Sequence, residues 1–100
     1  DDLVRVARDR IAALLGRDDE LQLGMAAFDL WAAFDQLVDP LSPPPPPRPV
    51  WVDDAAAALR QTAVDLSAAL ATAEQAGDAL RLGSAARHVT DALCCIEQQR

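Results

Sequence analysis

Seven prolines fall between residues 40 and 52, and none stands elsewhere in the chain. Proline has no amide proton to donate and its ring clashes with the turn before it, so a helix cannot run through such a block. The chain is thereby divided into two arms. Consecutive prolines favour the extended polyproline II form at about 3.1 Å per residue, which lets residues 40–52 reach on the order of 40 Å. A twenty-residue helix measures about 30 Å. The block is long enough to carry the chain back along a whole bundle, which would leave the helices on either side of it parallel.

Both arms read as helix. In "LVRVARDRIAALL", Leu3, Val4, Ala7, Ile11, Leu14 and Leu15 share one face, with Arg5, Arg8 and Asp9 opposite. Gly16 can end this helix in the left-handed conformation, and Asp19 with Gln22 resembles a capping box opening a second helix. In the other arm Asp53 or Asp54 can cap a helix whose stripe is Leu59, Ala63, Leu66, Leu70 and Ala73. Gly77 stops it, and Asp78 caps a last helix with the stripe Leu82, Ala85, Ala86, Val89, Leu93 and Ile96. The segment "ATAEQAGDALRLGSAARHV" resembles a tetratricopeptide hairpin, but no second copy follows at the expected period. Neither pair can bury its apolar faces alone. The expected fold is therefore all-α, one domain over 1–100: a four-helix bundle of two αα-hairpins joined by a long polyproline crossover. Helices are expected over about 2–15, 19–38, 54–76 and 79–98, with the strap at 40–52.

Composition supports helix and narrows the partners. About a fifth of the chain is alanine, the strongest helix former, and aromatic residues are 4%. The nine positive charges are all arginine, a pattern of GC-rich coding for which a bacterial source is the expectation. A net charge of -7 lacks the basic face that phosphate backbones require, so nucleic acid is not an expected partner. No apolar run approaches the roughly 18 residues of a membrane span. The adjacent Cys94 and Cys95 diverge on a helix and offer no disulfide framework, which favours a reducing, cytoplasmic setting. The chain opens Asp1-Asp2 without an initiator methionine, as expected of a trimmed or processed product or a domain of something longer.

The second helix carries more apolar surface than one bundle position uses. Leu23, Ala27, Leu30, Trp31, Phe34, Leu37 and Val38 make its expected core stripe, and a second line of Leu21, Met25, Phe28 and Ala32 adjoins it. Gln22, Asp29 and Gln36 leave only a narrow polar ridge. A helix apolar over about three quarters of its circumference is buried nearly all round or has a partner. The strap and Trp51 could cover the second line, or a second copy could, with Met25 and Phe28 as anchors, or a different protein or an apolar ligand could. The strap itself fits a ligand for SH3-like domains, with Pro43 and Pro46 as anchors and Arg48 as the specificity charge.

On the last helix Arg81, Ser84, His88, Asp91 and Cys95 share a polar face. His88, Asp91 and Cys95 have the spacing of metal ligands, yet one helix rarely supplies enough donors and the chain has no other histidine, so no metal and no cofactor are expected. A nucleophile, Cys95 or Ser84 activated by His88, lacks an oxyanion donor. The segment "RLGSAARH" resembles the motif of HEPN-type ribonucleases, with Leu82 where the family carries a polar residue. That resemblance implies metal-independent RNA cleavage, with Arg81 stabilising phosphate charge and His88 moving a proton. Both cysteines flank the exposed side of this helix and are expected to be covered by a subunit or by further chain. The leading expectation is a non-enzymatic interaction or assembly module, homodimeric through Leu21, Met25, Phe28 and Ala32.

Overall fold

The computed structural model describes residues 2–17, 21–38 and 54–98, so Asp19 and the strap with Pro43, Pro46, Arg48 and Trp51 lie outside the described residues. Four α-helices are bounded among those described: α1 Asp2–Gly16, α2 Ala26–Leu37, α3 Ala55–Ala71 and α4 Ala76–Gln98. The fold is all-α, as its alanine content and apolar periodicity require.

The start of α3 follows directly from its sequence. Asp54 has extended backbone (φ -135°, ψ 121°) and its carboxylate accepts the Ala56 amide at 3.1 Å, filling one of the four unpaired donors of a helix start. The helix ends without glycine. The Thr72 amide reaches the Ala69 and Leu70 carbonyls, and its hydroxyl donates to Ala69 at 3.1 Å. The break thus falls at 72–75 rather than at Gly77, which lies in the first turn of α4. Asp78, in that same turn, sits where the helix dipole favours a carboxylate.

The second helix begins later than its apolar pattern suggests. Gln22 (φ 53°) and Gly24 (φ 58°) both occupy the left-handed region, which a right-handed helix cannot contain, and α2 opens only at Ala26. Gln22 therefore closes no capping box, and Gly16 remains helical as the last residue of α1. Leu23, between the two left-handed residues, is still fully buried.

The longest helix, α4, packs on both α2 and α3, while α1 closes the ring against α2 and α3. Asp29 of α2 meets His88 of α4, and Gln36 and Leu37 lie beside Asp78, Arg81 and Leu82, so these two helices are antiparallel. α3 and α4, consecutive in the chain, meet at Arg60 and Glu97 and are antiparallel as well. It follows that α2 and α3 run in the same direction.

Ile11, Leu14, Leu23, Leu30, Leu59, Leu66 and Val89 are the large fully buried side chains, and Ala26 and Ala33 of α2 and Ala85 and Ala92 of α4 are buried with them. Small residues at a contact let two axes approach to the short end of the 8–10 Å range. The expected core stripe of α2 is corrected: Ala26 and Ala33 are buried, while Trp31 is 56% exposed and packs edge-on against Phe34. Leu3 and Leu70 are also exposed. Asp9, expected opposite the core, is buried, with Oδ1 3.5 Å from Arg8 Nη2 and in no hydrogen bond.

A polar network crosses from α1 to α3. Arg10 Nη1 donates to Asp65 Oδ2 at 2.8 Å and to Thr62 Oγ1 at 3.2 Å, while Gln61 Nε2 donates to Asp65 Oδ1 at 3.0 Å. The Thr62 hydroxyl in turn donates to the Ala58 carbonyl at 2.7 Å. Both carboxylate oxygens are used, which is why Thr62 and Asp65 sit buried in the α3 stripe where the apolar pattern alone places Ala63 and Leu70.

Candidate functional site

Two features of α2 are candidates for function, one on its outward face and one at its edge. Outward, Met25 is 69% exposed and Phe28 71% exposed, with the half-exposed Trp31 one turn further along. Residues three apart are neighbours on a helix surface, so these three side chains form a continuous apolar strip. Leu21 and Ala32, also expected in that line, are partly buried. Large apolar side chains gathered on one face are the kind of patch that marks an interaction surface.

At the edge of α2, toward α4, the narrow polar ridge finds a partner. His88 Nδ1 lies 3.3 Å from Asp29 Oδ1, with each side chain about one third exposed. Asp91, one turn beyond His88 on α4, joins them: each of the three residues brings a ligand atom within 4.8 Å of the other two. His88 and Asp91 also line an open concavity with Leu80, Gly83, Ser84 and Arg87. The sequence pattern groups His88 and Asp91 with Cys95 on one helix. Asp29 takes the third place because α2 and α4 pack against each other, which no spacing within α4 can reveal. The available signal is Asp29 itself, a carboxylate set between Phe28 and Leu30 in a largely apolar helix.

Arg81 does not share the His88 concavity. It pairs with Asp78 at 2.7 Å and borders a smaller recess with Val4, Gln36 and Leu37, two turns away along α4. Ser84 is partly buried in the wall of the His88 concavity. Cys94 is exposed, with Gln98 Nε2 3.8 Å from its sulfur, and Cys95 is partly buried against the core. Among the described residues no helix is long and apolar enough to cross a membrane.

No family model, curated protein or solved structure matches the chain. What bears on function is the geometry of the two α2 features.

Proposed function

We propose that this chain is a non-enzymatic assembly module that pairs with a second copy of itself through the outward face of α2. The observation that supports this most is the exposure of Met25, Phe28 and Trp31 on one helical strip. A two-fold contact uses the same patch on both subunits, so a single strip is sufficient to form it. In an antiparallel crossing centred on Phe28, Asp35 of one copy faces the Leu21 end of the other, which keeps the two Asp35 carboxylates apart. Removing three large apolar side chains from water on each copy is worth about 1.5–3 kcal/mol apiece before the costs of association.

The same proposal includes the path of the chain. Because α2 and α3 run in the same direction, the connection between them has to return along the bundle, and α3 at 17 residues is about 25 Å long. A polyproline strap over residues 40–52, reaching about 40 Å, spans that return with length to spare. Two helical hairpins linked by such a crossover account for the sequence and the packing together.

Light scattering over a concentration series, with Phe28→Glu in parallel, tests the assembly. The expected result is a wild-type dimer and a folded Phe28→Glu monomer. A wild-type chain that stays monomeric at every concentration would overturn the proposal.

A further inference from the structure

We infer that Asp29, His88 and Asp91 form a binding site for a divalent transition metal of the zinc class, bridging α2 and α4. The donors come from two helices that already pack together, so the protein holds the ligands' backbones in place before a metal arrives. The three ligand atoms lie within 4.8 Å of one another. The Nδ1–Oδ1 separation of Asp29 and His88 is 3.3 Å. That is long for a charge-assisted hydrogen bond, which runs at about 2.7–2.9 Å. It is the spacing expected of two ligands on one tetrahedral ion with bonds of about 2.0–2.1 Å, whose edge is about 3.3 Å. Asp91 has to close the remaining gap, and as an exposed side chain it is free to rotate inward.

The donor set selects the ion. One imidazole and two carboxylates suit zinc and its neighbours better than magnesium or calcium, which call for all-oxygen shells. Two carboxylates also match the charge of a divalent ion, which offsets the repulsion from Arg87 on the same concavity. Three protein ligands leave a fourth position open on the solvent side, the arrangement of an accessible zinc site. Ligation through Nδ1, the nitrogen that faces Asp29, uses the neutral imidazole tautomer with its proton on Nε2. The site rests on the α2–α4 contact and is independent of the assembly proposed above.

Calorimetric titration with zinc chloride tests it, in a Cys94→Ser/Cys95→Ser background that removes the competing thiols. One ion per chain is expected. Asp29→Asn and Asp91→Asn should each weaken binding at least tenfold, and His88→Ala should abolish it. Asp91→Asn alters an exposed carboxylate and nothing in the core, so its loss of affinity is not a loss of folding, which a thermal melt without metal confirms. Cobalt chloride should give the visible bands of a four- or five-coordinate ion without thiolate charge transfer. Absence of saturable binding, affinity equal in all three variants, or binding seen only with the cysteines present would each overturn the site. Light scattering with and without zinc separates the two proposals, since the dimer is expected in both conditions.

Discussion

The contacts of α1 with α3 and of α2 with α4 are each crossed by an acid–base pair, and the two pairs are built differently. Arg10 and Asp65 meet at 2.8 Å with side chains 16% and 11% exposed, Thr62 accepts a second bond from the same Arg10 nitrogen, and Gln61 donates to the other Asp65 oxygen. Asp29 and His88 meet at 3.3 Å with both side chains 34% exposed, beside the unclosed gap to Asp91. The first arrangement is complete within the fold. The second has donors to spare, and it is there that a ligand has something to do. What separates these two contacts is thus the completeness of the network rather than the residue types in it.

The largest expected effect comes from breaking the complete pair. Asp65→Ala leaves the Arg10 guanidinium mostly covered and without its counter-charge, a loss of about 3 kcal/mol. Urea unfolding should show a lower midpoint at unchanged slope. Arg10→Met with Asp65→Leu, which removes both charges and keeps the volume, should restore most of that loss. A double variant as unstable as Asp65→Ala would mean that the network, and not the lone charge left behind, carries the stability.

Breaking the other pair should cost much less. His88→Ala exposes no buried charge and loses an interaction already shared with solvent, so about 0.5 kcal/mol is expected. Equal losses for His88→Ala and Asp65→Ala in the same urea series would erase the contrast between the two contacts. If zinc binds as inferred, the wild type should also gain midpoint stability with added zinc and His88→Ala should not.

These differences also show what periodicity can and cannot reveal. Leu30, Leu59, Leu66, Val89 and Ile96 are buried where a 3.6-residue stripe puts them, because removing an apolar face from water is the strongest force acting on each helix. Trp31 departs because the stripe ranks residues by apolarity, whereas the face of α2 that is buried carries Ala26 and Ala33 beside Leu30 and Leu37. The face of α3 is displaced toward Thr62 and Asp65, since a buried carboxylate becomes tolerable only when Arg10 arrives from a part of the chain 55 residues away. Asp29 joins the His88 cluster for the same reason. Each departure is set by which helices are neighbours, a property of the whole chain that a local window does not contain. The late start of α2 is the exception, a local effect of two left-handed residues, one of them the non-glycine Gln22.

The smallest predicted effect isolates burial from distance. Arg81 and Asp78 approach to 2.7 Å, as close as Arg10 and Asp65, but with side chains 44% and 49% exposed and spaced three residues apart on one helix. If separation set the worth of an ion pair, Arg81→Gln and Asp65→Ala would be similarly harmful. Water screens the exposed pair and its long side chain loses rotamer freedom in forming it, so Arg81→Gln should cost about 0.3 kcal/mol. The loss from Asp65→Ala is mainly the burden of a covered charge left alone. Arg81→Gln cannot incur that burden, because Asp78 stays hydrated and faces the start of α4. The ratio of the two losses, about ten, is therefore a measure of burial at nearly constant distance. A value for Arg81→Gln above about 1.5 kcal/mol would show that this exposed pair fastens the first turn of α4, and the boundary between the complete and the open polar contacts would have to be drawn elsewhere.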